Sequence, residues 1–278
     1  PAGRRSVNPC SGAAMSDSPR FPGLVDLACS DVGGRALATT DDFFAGIENL
    51  ISPDEPVFDP HAYCDTGKVM DGWESRRKRV QGHDWCTLQL GLIGTVHAVD
   101  IDTAHFLGNH PPYAALDAWR GEGEPGDEDW QEIIAPSPLA PGSHNLFAVQ
   151  QRGPWSHLRL RIFPDGGVAR LRVYGEPQGT KGLPADAPLD VAALASGAKA
   201  VACSDMFFGR MDNLIRPGKP PNMGGGWETR RKRGAGNDWV VIELGEVADL
   251  AHVELDTWFF KGNFPDRASV EGLYAPGG

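Results

Sequence analysis

The sequence contains the stretch GWESRRKR at residues 72–79 and repeats it as GWETRRKR at residues 226–233. The likeness continues at the same offset of 154, because HDW at 83–85 corresponds to NDW at 237–239. Between Gly72 and Leu90, 11 of 19 residues are identical to those 154 positions later. Further matches lie on both sides, so the repeating unit is about 150 residues long. A unit of this size indicates a duplicated domain rather than a short solenoid repeat.

The flanking matches show that the two copies differ by an insertion. Downstream, DT at 102–103 recurs at 256–257, and FLGN at 106–109 corresponds to FKGN at 260–263. Upstream, DDFF at 41–44 corresponds to DMFF at 205–208, and NLI at 49–51 recurs at 213–215, both at an offset of 164. The offset falls from 164 to 154, so the first copy carries ten additional residues around 53–68. This stretch is rich in Pro, Asp and Gly, which is typical of a loop.

These matches predict the domain organisation. We expect a disordered leader at 1–20, a first domain at 21–176, a Pro/Gly-rich linker at 177–188 and a second domain at 189–278. Counterparts of the HNLF segment at 144–147 and of the PDGG turn at 164–167 do not occur in the second copy. We therefore expect the second domain to be incomplete and the chain to be a fragment with an unstable second half.

The local patterns predict an all-β fold. Glycine (35) and proline (23) together make up about a fifth of the chain, which disfavours long helices. Residues 157–163 and 169–173 alternate between apolar and polar side chains around the PDGG turn, which predicts a β-hairpin. Its inner face would carry Leu158, Leu160, Ile162, Leu171 and Val173. Further strands are predicted at 240–244 and 251–255, and a brief helix at 191–196. Short strands between turns favour antiparallel sandwiches.

Charge and composition exclude several classes of protein. The net charge of -11 argues against non-specific binding to nucleic acid, because that binding needs cations that neutralise phosphates. No run of 18 apolar residues occurs, so we expect no membrane span. The five cysteines are widely spaced and form no C-x-x-C pair, which favours a reducing compartment, and we predict a cytoplasmic protein.

Taken together, several motifs resemble the allantoicase (allantoate amidinohydrolase) family. They are SDMFF at 204–208, the two GWE-x-RRKR segments with the DW that follows, the two D-T-x-x-F-x-G-N segments, and IFPDGGVAR at 162–170. The resemblance covers about residues 21–278. It implies two tandem antiparallel jelly-roll β-sandwich domains of the galactose-binding-like kind. It also implies a hydrolase of C–N bonds that converts allantoate to ureidoglycolate and urea in purine degradation, and a homo-oligomer.

The chemistry of allantoate suggests which residues form the site. The molecule has one carboxylate and two ureido groups, so it needs a guanidinium fork, partners for its N–H groups, and an acid and a base. As acid and base candidates we predict Glu74, Asp102, Glu228 and Asp256. As ligands of the carboxylate we predict Arg76, Arg79, Arg230 and Arg233. As partners of the ureido groups we predict Asp41, Asp205, Asn109 and Asn263.

Plainer interpretations stay open for several of these residues. The RRKR run is also typical of a solvated surface segment. Asp102 and Asp256 each precede a threonine, and both could form turns by binding their own backbone. Asn109 and Asn263 follow glycine, as turn residues often do. The repeated tryptophans are typical of packing residues.

No metal or other cofactor is predicted. Seven of the eight histidines lie in the first copy, but no pair has the spacing of metal ligands. His83 and His105 correspond to Asn237 and Phe259, so the two copies are not chemically equivalent.

A second hypothesis is a non-catalytic tandem jelly-roll module that binds carbohydrate or another small ligand, since the fold alone does not define activity. The charged set favours the enzyme, because a sugar platform relies on aromatic and neutral amide groups. Which copy contains the site, or whether one site spans both, stays open.

Overall fold

The computed structural model describes residues 21, 24–123, 125–179 and 189–274. The chain divides into two compact units, with the described residues up to 179 in the first and residues 189–274 in the second. The predicted leader at 1–20 lies outside the described residues, as does most of the predicted linker. The described part contains β-strands and short 3-10 helices but no α-helix, which confirms the all-β prediction. It also contains no helix with the length and hydropathy of a membrane span.

The first unit contains twelve strands among its described residues. They are β1 (Val25–Asp26), β2 (Arg35–Thr39), β3 (Tyr63–Cys64), β4 (Gly67–Lys68), β5 (Trp73–Glu74), β6 (Asp84–Asp102), β7 (Tyr113–Trp119), β8 (Gln131–Pro138), β9 (Leu146–Ala148), β10 (Trp155–Phe163), β11 (Gly167–Val168) and β12 (Arg170–Pro177). Short 3-10 helices occur at Ser30–Val32, Ile47–Ile51 and Asp127–Asp129.

Strand β6 is 19 residues long and belongs to both layers of the sandwich. Its first half pairs with β2 and β10, and β10 continues to β7 and β8. Its second half pairs with β9 and β12, and β12 continues to β1. All these pairings are antiparallel. The result is the antiparallel jelly-roll sandwich that the sequence predicts, with β6 passing from one sheet to the other.

The passage of β6 between the sheets needs two glycines. A Cβ atom at Gly91 would lie 2.4 Å from the carbonyl oxygen of Val32. A Cβ atom at Gly94 would lie 2.4 Å from the carbonyl oxygen of Glu176. Both distances are below any real Cβ contact, so a side chain at either position would push neighbouring backbone apart.

The predicted hairpin between residues 157–163 and 169–173 is wrong. These segments are β10 and β12, and they pair with opposite halves of β6 rather than with each other. The PDGG segment between them is not a hairpin turn, because Gly167 and Val168 form β11 against β5. The predicted inward residues are nonetheless all fully buried: Leu158, Leu160, Ile162, Leu171 and Val173. Alternation identified the buried faces, but it could not identify the partner strands.

The second unit has two described strands, β13 (Lys199–Cys203) and β14 (Val240–Glu243), which pair with each other. Its 3-10 helices are Leu194–Ser196, Met211–Ile215 and Met223–Gly225. The strand at 240–244 is confirmed, and the helix at 191–196 is a single 3-10 turn. The strand predicted at 251–255 is wrong, because this segment pairs with no other described strand. Its equivalent in the first unit is the second half of β6, which β9 and β12 flank.

Candidate active site

The repeated GWE motif begins with a buried tryptophan that fixes the local backbone. Trp73 is fully buried, and its indole N–H donates to the carbonyl oxygen of Asp41 over 2.8 Å. The next residue, Glu74, pairs with Gly167 of β11 on one side and forms an isolated bridge with Ala45 on the other. The backbone of Glu74 is thus held on two sides, by Gly167 and by Ala45.

Glu74 and Asn109 form a direct contact at the edge of a cavity. The side-chain amide of Asn109 donates to Oε1 of Glu74 over 2.6 Å. Partial burial raises the pKa of the Glu74 carboxyl, and the hydrogen bond from Asn109 opposes part of that rise. The cavity has a volume of about 420 Å³, within the range of small-molecule sites. Its lining also includes Phe44, Phe58, Lys68 and His105.

Arg76, whose side chain is exposed, is paired with the partly buried Asp41. Its Nε and Nη2 atoms each lie 2.6 Å from Oδ2 of Asp41, and its backbone N–H donates to Oδ1 over 3.0 Å. Burial of Asp41 acts against ionisation, but the hydrogen bonds from Arg76 and Phe43 outweigh it and lower the pKa of Asp41. Both carboxylate oxygens of Asp41 are therefore engaged, and the guanidinium fork of Arg76 already holds a carboxylate.

The rest of the RRKR run lines a neighbouring cavity of about 480 Å³. Lys78 donates from Nζ to Oδ1 of the buried Asp84 over 2.6 Å, and from its backbone to Oδ2 of Asp165 over 2.8 Å. Arg77 and Arg79 are exposed, and no carboxylate of the described residues forms an ion pair with either. Phe44 lines both cavities, so the two lie side by side.

Asp102 is not brought together with Glu74. The residue is 2% exposed and lines neither cavity, and its Oδ1 accepts the backbone N–H of Ala104 over 2.8 Å. Burial raises the pKa of Asp102. The nearby His144 lies 4.0 Å away and pairs instead with Asp100 over 2.7 Å. Asp102 therefore forms a turn with its own backbone, which is the plainer of its two interpretations.

The second copy repeats the same contacts. Asn263 donates to Oε1 of Glu228 over 2.7 Å. Oδ1 of Asp205 accepts the backbone N–H of Arg230 over 2.9 Å, while the guanidinium lies 4.0 Å from Oδ2. Asp256 accepts the backbone N–H of Trp258 over 2.7 Å, as Asp102 does from Ala104. Arg233 is exposed.

The first copy differs from the second in the residues that line the cavity beside its Glu–Asn pair. Phe58 and Lys68 lie in the stretch 53–68, around which the first copy carries its ten additional residues, and His105 corresponds to Phe259. None of these three residues was selected from the sequence. The signals that could have identified them are the change of offset between the copies and the replacement of a histidine by a phenylalanine.

Among the residues that the structure describes, no group of three or more His, Cys, Asp or Glu side chains is arranged to hold a metal ion. The absence of a metal or other cofactor from the reaction therefore stays a prediction.

Comparisons with known proteins agree on one family. The family model described as the allantoicase repeat matches residues 25–178 and 189–277. A probable allantoicase of Photobacterium profundum is 46% identical over 267 residues, which cover 95% of this chain and 81% of the relative. A probable allantoicase of Pseudomonas aeruginosa is 44% identical over 261 residues, covering 93% and 79%. The crystal structure of allantoicase from Saccharomyces cerevisiae matches with a TM-score of 0.67 and 36% identity, covering 80% of this chain and 69% of that one.

Proposed function

The chain belongs to the allantoicase family, and on that premise we propose that it hydrolyses allantoate in the cavity beside Glu74 and Asn109. The reaction itself follows from the family: allantoate and water give ureidoglycolate and urea, a step of purine degradation. The substrate is a small molecule, and the comparisons do not favour the carbohydrate-binding alternative. The location of the reaction and the roles of the residues are our proposal.

The observation that carries the proposal is the contact between Glu74 and Asn109. A carboxyl group with a raised pKa at the edge of a cavity is better suited to accept and return a proton than an ordinary exposed glutamate is. Oε1 accepts the Asn109 amide, and Oε2 has no hydrogen-bond partner among the described residues. Oε2 is therefore the oxygen available to a water molecule or to a ureido N–H group.

The proton balance of the reaction needs only one such carboxyl group. The oxygen of water forms a bond to the central carbon of allantoate, and the bond from that carbon to one ureido nitrogen breaks. Glu74 accepts a proton from the water and returns it to the departing nitrogen, which leaves as urea. If elimination of urea precedes the addition of water, the same nitrogen still needs that proton.

We place the reaction in the first unit although the second unit has an equivalent Glu–Asn pair. Glu74 and Asn109 are partly buried and line a cavity, whereas Asn263 is exposed. The ten-residue insertion of the first copy supplies part of the cavity wall, and the second copy has no counterpart. Partial burial strengthens the electrostatic interactions on which such a reaction depends, because fewer water molecules screen them.

The other predicted residues take indirect roles in this proposal. Asp41 positions Arg76 rather than contacting a ureido group, because both of its oxygens are engaged. Asp102 forms a turn. Arg77 and Arg79 are the cations of the run that remain without a carboxylate partner among the described residues. In the second copy, Asp205, Arg230 and Asp256 are structural counterparts.

We also propose that the chain acts in the cytoplasm and as a homo-oligomer. All four cysteines of the described residues are free thiols, which supports a reducing compartment.

The direct test of the reaction is the release of urea and ureidoglycolate, in equal amounts, when the purified chain is incubated with allantoate. A folded chain that binds allantoate but releases no urea would overturn the proposal.

A further inference from the structure

The insertion of the first copy is a well-anchored segment that forms one wall of the cavity. Its strands β3 and β4 make a short hairpin. Two buried arginines of β12 hold the start of the segment: Arg170 donates from Nε to the carbonyl oxygen of Asp54 over 2.9 Å, and Arg172 donates from Nη2 to the same oxygen over 3.1 Å. Arg170 also forms an ion pair of 2.8 Å with Asp71, where the segment ends. The wall is therefore fixed relative to Glu74.

Lys68 lies at the end of this hairpin and lines the same cavity as Glu74. Its Nζ atom is 5.1 Å from the centroid of the Phe58 ring and 5.7 Å from that of Tyr63. Cation–π contacts hold an ammonium group in place without neutralising its charge. No carboxylate of the described residues forms an ion pair with Lys68, whereas Arg76 and Lys78 both have carboxylate partners.

His105 also contacts Phe58. Its ring stacks on that of Phe58, with centroids 5.6 Å apart, and its Nε2 atom lies 3.1 Å from the carbonyl oxygen of Pro56. A carbonyl oxygen can only accept, so Nε2 carries the proton and Nδ1 of the neutral ring is an acceptor. His105 is also the one described residue other than glycine with a positive φ, 68°. Such strain is often found at functional positions.

From this arrangement we propose that Lys68 binds the carboxylate of allantoate and that Nδ1 of His105 accepts a hydrogen bond from a ureido N–H group. The inference rests on the proposed function and adds the orientation of the substrate. A cation and an acceptor stand on one wall, and the Glu74–Asn109 pair lines the same cavity. These groups match the carboxylate, a ureido group and the departing nitrogen. At the offset of 154, the second copy has Asn222 at the position of Lys68 and Phe259 at that of His105.

The test compares Lys68→Met with Lys219→Met in the whole chain. Lys219 is a matched control, because its Nζ atom lies 4.5 Å from the Trp258 ring in the second unit. We expect Lys68→Met to raise the KM for allantoate by about 10- to 100-fold, as the loss of a charge-assisted hydrogen bond predicts. Lys219→Met should leave KM unchanged, and Lys68→Arg should keep most of the binding.

A second measurement separates loss of the charge from loss of the fold. Methylenediurea has the two ureido groups of allantoate but no carboxylate, so it serves as a competitive inhibitor that does not need Lys68. Its inhibition constant should be the same in the parent chain and in Lys68→Met, and it should rise in His105→Phe, which copies the second repeat.

The outcomes distinguish this inference from the proposed function. If the parent chain releases no urea, the proposed function fails. If the parent chain is active and Lys68→Met behaves like Lys219→Met, the inference about Lys68 is overturned. If Arg79→Met raises KM while Lys68→Met does not, the arginine run binds the carboxylate, and the inference is overturned as well.

Discussion

The side-chain amide of Asn109 lies 2.6 Å from Oε1 of Glu74, although 35 residues separate the two along the chain. Strand β5 presents the glutamate, and the loop after β6 presents the asparagine. The amide donates to an oxygen of a half-buried carboxyl group whose pKa burial has raised. A donor at this distance stabilises the ionised form, so Asn109 controls how readily Glu74 takes and returns a proton.

The pH dependence of the reaction follows from this contact. As a base, Glu74 must be ionised, so kcat/KM should fall as the pH decreases through its raised pKa. Asn109→Ala removes a donor that lowers this pKa, so the acidic limb should shift to higher pH. The check is the profile of kcat/KM against pH, with Asn263→Ala as the matched control in the second copy. Equal profiles for the parent chain and Asn109→Ala would contradict this role for Asn109.

Lys78 should matter for stability, and its counterpart in the second unit should not. Its ammonium group lies 2.6 Å from a carboxylate of Asp84 that is 1% exposed, so Lys78→Met leaves a buried charge without its partner. We expect a loss of about 3–5 kcal/mol in the unfolding free energy of the first unit. Lys232 pairs with Asp238 over 3.0 Å with both side chains partly exposed, so Lys232→Met should cost about 1 kcal/mol or less. Denaturant unfolding of both variants is the measurement, and equal losses would refute the distinction.

Asp41 and Arg76 should act on activity as one unit. Asp41→Asn replaces the oxygen that accepts from the guanidinium, and Arg76→Lys removes the fork that donates to it. Each change should lower kcat/KM by about fivefold, and the double variant should be no worse than either, as expected for coupled residues. If Arg76 binds substrate directly, Arg76→Lys raises KM and Asp41→Asn does not.

Alternation of apolar and polar residues identified the buried faces of β10 and β12 from the sequence, but not the strands they pair with. From residue 158 to residue 163, burial alternates along β10 because one face packs into the core and the other is partly exposed. The sequence pattern therefore identified Leu158, Leu160 and Ile162 as inward residues. Which strand pairs with β10 depends instead on β6, a segment more than 50 residues away. Two alternating segments around a PDGG sequence resemble a local hairpin. In the structure, β6 lies between β10 and β12 in the sheet and pairs with both, so they do not form one.

The residues of the proposed site could be selected from the sequence one at a time, but their arrangement could not. The repeat identified Glu74 and Asn109 because both copies retain them, yet spacing alone did not show that they contact each other. Asp102 is equally well repeated, and it proves to hold a turn. At the offset of 154, Asn222 and Phe259 occupy the positions of Lys68 and His105, so comparison of the two copies does not identify these residues. Both contact the aromatic ring of Phe58, so their positions depend on that ring and on the segment 53–68 that carries it.

The most direct test of the central claim is urea release from allantoate by Glu74→Gln and by Glu228→Gln, each in the otherwise unchanged chain. Glutamine keeps the shape of the side chain and a hydrogen-bonding partner for the asparagine, but it cannot take up a proton. We predict that Glu74→Gln lowers kcat by about 100-fold or more, the usual value of a general base. Glu228→Gln should retain the activity of the parent chain. A folded Glu74→Gln chain with unchanged kcat, or a larger loss in Glu228→Gln, would contradict the account.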